Sequence, residues 1–514
     1  MRRRLFSALL GLILTLTVSA QLQLRTEAEL TTSSGEYTPL WLQANRYGLS
    51  SLEKTNGYLR VALSRPAEAD SLRQWRRGVC ADVAAATGFT SKMVVQQLYG
   101  EIGWKKGLLT IGAKEQPMEL RNQELSSGAQ TLGINARPVP GVRIELEDYW
   151  DVPGLNHWLG FKGFIFYGKT TDDDWQVDFT HRQERYTEKT MLHTKAGYLR
   201  IGPDDKPLQL ELGLEMGCQF AGTSYMKRVT KGILKNESGF MSYLHAFFPS
   251  SSEANETDYR NKEGNHVGSL LARVNYEGKA FGASIYVDHF FEDQSGLFFL
   301  DYDGYGTGEK WDKWEHFNWL VYDLCDMQIG LELRLKRCRW VQTVVAEYLT
   351  TKYQSGPVYH DHTRIMSDHV SGIDDNYNHF IFTGWQHWGQ VMGNPLYRSP
   401  LYNGDGTIYV QNNRFTAWHF GISGTPFEGL HYRLLATWQH GLGTYKIPYA
   451  DPRRNVSLLA EAAYVFPQHS KLKGWSVRGA VATDHGRLLG NNTGVQLTIG
   501  RQMNINFKKK KPAF

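Results

Sequence analysis

The sequence predicts an all-β chain closed into a large transmembrane antiparallel β-barrel, and three observations carry that reading. Long segments alternate apolar and polar residues one by one. No window after residue 20 holds the 18 or so consecutive apolar residues of a spanning helix. Aromatic residues make up 13% of the chain, as expected where rings girdle both faces of a bilayer.

The alternation is clearest near the C-terminus. Val495, Leu497, Ile499, Met503, Ile505 and Phe507 share one parity, broken only by Arg501, against Gln496, Thr498, Gly500, Gln502, Asn504 and Asn506 on the other. Leu208 to Phe220 repeats it, with Leu210, Leu212, Leu214 and Met216 set against Glu211, Gly213, Glu215 and Gly217. Shorter versions run through Val142, Ile144 and Leu146, through Leu331, Leu333 and Leu335, and through Leu430, Tyr432, Leu434, Ala436 and Trp438. Such segments are strands with one apolar and one polar face. A soluble sandwich alternates too, so strand length decides. Soluble strands run about 5 to 6 residues, a tilted membrane strand needs about 9 to 11, and the two best segments here are longer than either. Charged residues such as Glu211, Glu215, Arg334 and Lys336 then point into a wet lumen.

At the N-terminus Arg2, Arg3 and Arg4 precede an apolar run from Leu5 to Val18, and Val18-Ser19-Ala20 is a small-residue cleavage site, so 1–20 reads as an export signal with the mature chain starting near Gln21. The mean hydropathy of −0.43 is too polar for a helical membrane protein. No Pro-, Ser- or Gly-rich linker divides 21–507, which reads as one barrel with insertions, followed by a basic tail at 508–514. Setting aside the three signal arginines and the lysines Lys508 to Lys511 turns the net charge of +5 into −2, which excludes a nucleic-acid binder. Phe507 resembles the terminal aromatic signal read by the barrel-assembly machinery. The four cysteines are scattered; a Cys325–Cys338 bridge is permitted but unforced.

No nucleophile elbow, Walker loop, dinucleotide fingerprint or zinc-protease helix is present, and no acid pair for glycoside hydrolysis stands out, so a non-enzyme without cofactor or metal is expected. Asp301-Tyr302-Asp303-Gly304-Tyr305-Gly306 has Tyr305 where a calcium loop needs an oxygen ligand, and reads as a Gly-rich loop. His360, Asp361, His362 and His369 have metal-ligand chemistry but nothing to aim them, and read as solvated loop residues. Aromatic and amide residues crowd the later loops instead: Trp311, Trp314 and Trp319, then Trp385-Gln386-His387-Trp388, Tyr397-Arg398 and Tyr402-Asn403. Rings pack on the apolar face of a sugar while polar groups bond its hydroxyls, and arginine suits acidic glycans. Trp385, His387, Trp388, Arg398, Tyr402 and Arg414 are therefore the candidate glycan-binding residues, with an interfacial girdle as the competing reading.

Several stretches resemble signatures of the Wzi family of capsule-assembly outer-membrane proteins of Gram-negative bacteria. They are Tyr37-Thr38-Pro39-Leu40-Trp41-Leu42-Gln43-Ala44-Asn45-Arg46-Tyr47-Gly48, Asn135-Ala136-Arg137-Pro138-Val139-Pro140, Glu292-Asp293-Gln294-Ser295-Gly296, Glu347-Tyr348 with Gln354-Ser355-Gly356-Pro357, Gly393-Asn394-Pro395-Leu396 with Ser399-Pro400, and Asn413-Arg414 with His419 and Gly421. The resemblance implies a monomeric barrel of about 18 strands with short periplasmic helices, a lectin-like organiser holding capsular polysaccharide at the outer membrane. The Tyr37 to Asn56 and Met118 to Pro140 stretches, which lack alternation, are the expected helical or plug elements. Two other classes remain open: a porin-like glycan or solute channel, and a soluble secreted all-β hydrolase or lectin.

Overall fold

A computed structural model describes residues 21–67, 74–226, 232–248, 264–292, 308–314, 324–359 and 370–506. The export signal, Phe507 with the basic tail, Trp319, the Asp301 loop and the His360/His369 cluster lie outside these residues.

Eighteen antiparallel strands form one closed sheet. In chain order they are β1 (Gln21–Ser34), β2 (Thr55–Arg65), β3 (Trp75–Thr87), β4 (Met93–Trp104), β5 (Gly107–Ala113), β6 (Gly141–Asp151), β7 (Leu159–Lys169), β8 (Met191–Ile201), β9 (Leu208–Phe220), β10 (Asn265–Glu277), β11 (Phe281–Glu292), β12 (Met327–Leu335), β13 (Thr343–Thr350), β14 (Arg414–Phe427), β15 (Leu430–Gly443), β16 (Pro448–Val465), β17 (Trp475–Gly486) and β18 (Asn492–Asn506). Each pairs with its chain neighbour, and β1 closes the ring on β18, Leu30 facing Leu497 and Gln21 facing Asn506. Closure leaves no edge with unpaired backbone groups, which hydrocarbon could not satisfy.

The faces follow the alternation. On β9 Leu212 is 39% exposed while Glu215 is 1% exposed, and on β18 Leu497 is 50% exposed against 4% for Thr498. Apolar residues look out to lipid, and charged and amide residues look in, as a membrane barrel requires. Exposed Trp75, Trp104, Trp150, Trp158, Tyr276, Phe281, Trp340 and Phe427 sit at or beside strand ends on the side that carries the chain termini, forming an aromatic belt.

Connections at that terminal end are short, as at 105–106, 278–280 and 428–429. Those at the opposite end include 35–54, 114–140, 170–190, 221–264, 293–326 and 351–413. Barrels of the outer membrane keep short turns in the periplasm and long connections outward, so the second end is the outer one. The short helices α1 (Leu40–Gln43), α2 (Asp173–Thr180) and α3 (Phe240–Phe247) all belong to these long connections. Helices were expected, but on the periplasmic side; by the turn-length rule they sit in outward connections instead.

Segments 35–54, 114–140 and 374–413 turn back into the lumen and pack a plug there. Trp41, Leu42, Leu125, Tyr377, Trp385, Val391, Tyr397 and Val410 pack with inward residues of the wall, Val267, Phe290, Val345, Phe415, Leu435 and Leu459, in one buried cluster. Polar groups tie this plug to the wall. Arg121 donates to Asp288 at 2.6 Å and to Gln328 Oε1 at 2.8 Å, the arginine and aspartate side chains being 1% and 0% exposed. Glu347 accepts from the Ser126 hydroxyl at 2.6 Å and the Ser127 amide at 2.8 Å. His419 bonds the Leu125 carbonyl at 2.8 Å, and Asn394 donates to the Gly128 carbonyl at 3.0 Å. Burial of such groups is tolerable only because each is paired. Most stretches that carry the family resemblance thus lie where plug meets wall. Cys338 is in no disulfide, so the permitted Cys325–Cys338 bridge is not made.

Candidate functional site

The six candidate residues separate into two groups. Trp385 is 1% exposed; its indole Nε1 donates to the Thr131 carbonyl at 2.9 Å, and its ring lies so close to the wall that a Cβ on Gly217 would stand 2.2 Å from it. His387 is fully buried, with Nδ1 2.9 Å from the Arg137 carbonyl and Nε2 accepting from the Thr171 amide at 3.1 Å. Tyr402 is 4% exposed and its hydroxyl accepts from Gln43 at 3.2 Å. These three were expected on a sugar-binding surface. The structure corrects that: they are walled in, and they hold the plug together. Aromatic density marked them, and the same density marks a core.

Trp388, Arg398 and Arg414 are half-buried. Trp388 stacks under the Arg137 guanidinium, 4.5 Å from ring centre, and its indole donates to the Thr171 hydroxyl at 3.1 Å. Burial pushes the Arg137 pKa down to about 10, opposed by Asp172. Arg398 is held between the Asn403 side chain at 2.7 Å, Gln411 Oε1 at 3.2 Å and the Tyr402 carbonyl at 2.9 Å, and burial lowers its pKa from the ordinary range. Arg414, the first residue of β14, donates to the Lys352 carbonyl at 3.0 Å and lies 3.6 Å over the Tyr445 ring.

Around Arg414 and Arg398 the outward rim carries residues that the sequence reading missed. β16 begins at Pro448, beyond its β17 partner, whose pairing starts only at Asn455, so 448–454 stand proud of the wall with the turn at 444–447. On this projection Arg453 lies 4.1 Å over the Tyr449 ring, and Tyr449 donates to the Gln411 carbonyl at 3.3 Å. Tyr445 donates to the Tyr353 carbonyl at 3.1 Å, and Lys446 pairs with Asp375 at 3.1 Å. Tyr353, Tyr445, Arg453 and Arg454 are exposed. The result is a patch of tyrosine rings and guanidinium groups spanning 353, 398, 414 and 445–454. Such cation–π pairs are worth about 0.5 to 1 kcal/mol at exposed sites, enough to keep rings and charges aimed. The Lys446-Ile447-Pro448 run after an alternating strand was the available signal for this turn.

On the other side of the plug are two lumen cavities. One, of about 480 Å³, lies against β5 to β9 and is lined by Thr110, Arg143, Glu145, Phe166, Tyr198 and Glu215 among others. The second, of about 310 Å³, is bordered by Arg25, Arg46, Tyr58, Arg433, Glu461 and Arg478. Tyr47 and Glu115 border both. No group of His, Cys, Asp and Glu residues fit to hold a metal occurs among the described residues.

No protein-family model matches this chain, and no curated protein does. Among solved structures it is similar to Wzi of Escherichia coli, described as an outer-membrane protein involved in group 1 capsule assembly and a carbohydrate-binding β-barrel, at 13% identity and a TM-score of 0.54, over 94% of this chain and 84% of that one. OccAB4 of Acinetobacter baumannii aligns at 10% identity over 95% of this chain and 100% of its own, with a TM-score of 0.44. OprD of Pseudomonas aeruginosa aligns at 10% identity over 94% and 95%, with a TM-score of 0.42. At these identities the likeness is one of fold: the chain is a closed barrel of the outer-membrane type.

Proposed function

We propose that this barrel binds polysaccharide at the outer cell surface and helps attach or organise a capsule there, without cleaving it. The observation that carries the reading is the plug. The described residues set a buried core around Trp41, Leu125, Tyr377, Trp385 and Tyr397 inside the barrel, an arrangement that favours holding over conducting. The rim patch then offers the chemistry of sugar recognition: tyrosine faces for apolar ring surfaces and guanidinium groups for hydroxyls and acidic substituents. The Escherichia coli barrel of similar fold, described as carbohydrate-binding, supports the same reading. Many weak contacts along one polymer add through high effective concentration, so no single deep pocket is needed.

The test is capsule retention in cells carrying Arg414→Ala, Arg453→Ala and Tyr445→Ala together. The expected result is more capsule free in the medium with polymer synthesis and surface barrel abundance unchanged, the effect being greatest at low salt if the glycan is acidic. Normal retention would remove the rim from consideration. Large steady conductance of the wild-type barrel in planar bilayers would instead establish a channel, and release of shortened chains from capsule incubated with purified protein would establish a hydrolase.

A further inference from the structure

Helix α3 lies on the outside of the barrel. It packs on Cys218 and Phe220 of β9, Tyr167 of β7 and Met191 of β8. On β9 Cys218 shares its face with Leu212 and Leu214, which look out to lipid, while Gly217 on the other face meets the Trp385 ring of the plug. Ser242 and Ala246 of α3 are buried, and the Tyr167 hydroxyl donates to the Tyr243 carbonyl at 2.8 Å. The exposed residues of the helix and its C-cap are Phe240, Met241, Leu244 and Phe248, all large and apolar. A surface of that kind on the lipid side of a membrane barrel belongs in the bilayer.

Beside α3 the outer wall has a trough of about 460 Å³. Its floor is low where Gly163 of β7 pairs with Gly197 of β8, and exposed Ile144, Phe161, Ile165 and Leu214 flank it. Lys195, Met216 and Phe247 of α3 border its outer end. Lys195 stands opposite Ile165 and Met216, so its side chain is on the lipid face. Its ammonium donates to the Phe247 carbonyl and lies 4.4 Å from the centre of the Phe247 ring. Among the described residues no carboxylate pairs with it: Glu145, which also borders the trough, is on the lumen face and pairs with Arg143 at 2.7 Å. A charge on the lipid face is costly without a counter-ion, and here it stands at the mouth of an apolar trough.

We propose that α3 and this trough bind one phosphorylated, multiply acylated glycolipid with the chemistry of lipid A, an acyl chain lying in the trough and a phosphate pairing with Lys195. The leaflet selects this lipid over a phospholipid. The connection that carries α3 joins the outward ends of β9 and β10, and the outer leaflet of an outer membrane is built from lipid A. The trough supplies apolar contact, the ammonium supplies a charge-assisted bond to phosphate, and Phe240, Met241 and Leu244 lie among neighbouring chains. The site rests on the barrel's place in the membrane and is independent of the glycan reading.

The experiment is native mass spectrometry of the full-length barrel, delipidated in detergent and titrated with bis-phosphorylated lipid A, the same lipid after dephosphorylation, and phosphatidylglycerol. Bis-phosphorylated lipid A is expected to bind most tightly. Lys195→Gln keeps a donor for the Phe247 carbonyl and removes the charge, so it should weaken the phosphorylated lipid by about tenfold, the scale of one lost bond to a charged group, and leave the dephosphorylated lipid unchanged. Gly197→Val fills the floor, where a Cβ meets only the Phe161 ring, at 3.5 Å, and should weaken both forms of lipid A. Gly479→Val, on the lipid face of β17 with nothing within 4 Å of its Cβ, should change neither. Heat-modifiable gel migration establishes that each variant is folded. Equal binding of the two forms of lipid A by the wild type, phosphatidylglycerol bound as tightly as lipid A, wild-type affinity in either trough variant, or an equal loss in Gly479→Val would overturn the proposal.

Discussion

Glu211 and Leu212 are adjacent on β9 and point to opposite worlds. Glu211 accepts the Tyr149 hydroxyl and the Asn275 amide inside, both at 2.7 Å, while Leu212 is 39% exposed on the lipid side. Leu212→Arg is expected to hinder assembly, since an arginine on the lipid face costs about 2 to 4 kcal/mol near the midplane, whereas Glu211→Gln keeps an acceptor and should be tolerated. The fraction of folded, heat-modifiable barrel in outer membranes measures both. This distinction was legible in the sequence because a strand's facing depends only on its own period of two. The fate of Trp385 was not. Its partner Thr131 lies 254 residues away, and no local pattern distinguishes a ring that meets a sugar from one that meets a distant loop. Trp385→Ala should therefore act on plug stability by about 3 to 5 kcal/mol, the usual cost of emptying a buried aromatic site. Faster amide exchange across 114–140 at unchanged barrel yield would show it; unchanged exchange would mean the indole is not structural.

At the scale of elements, the plug's existence was readable from the missing alternation at 37–56 and 118–140, but its depth in the lumen was not, because the ion pairs that seat it join remote segments. Arg121→Ala leaves Asp288 buried without its cation, a loss of about 3 to 5 kcal/mol. The wall does not depend on that pair, so the expected phenotype is intermittent conductance in planar bilayers with normal barrel assembly. His387 adds a pH dependence. Burial lowers its pKa from the ordinary 6.5, and a proton on Nε2 would oppose the Thr171 amide that donates to it. An unfolded plug takes up that proton more readily than the folded one, so this contribution to stability is complete above pH 6.5 and falls as the pH drops below it. The protection factor of the Thr171 amide, its exchange relative to the intrinsic rate at each pH, should fall on acidification through this window, and His387→Gln should flatten the response.

Taken whole, the molecule separates two tasks. The wall is built from neighbour-to-neighbour hairpins with one closing seam between β1 and β18, and its class was visible because hairpins and two-faced strands are local properties. The plug joins Ser126 to Glu347 across 221 residues and Arg121 to Gln328 across 207. That difference has a kinetic meaning. Hairpins can zip as they are delivered, whereas the cork needs strands from both halves of the chain in place before its anchors exist, and long loop closures are slow for entropic reasons. A newly inserted barrel would then pass through an interval in which it is sealed to lipid but open to water. A cell making this protein would carry a small population of transient pores, whose number is set by the rate of cork seating rather than by the rate of barrel insertion.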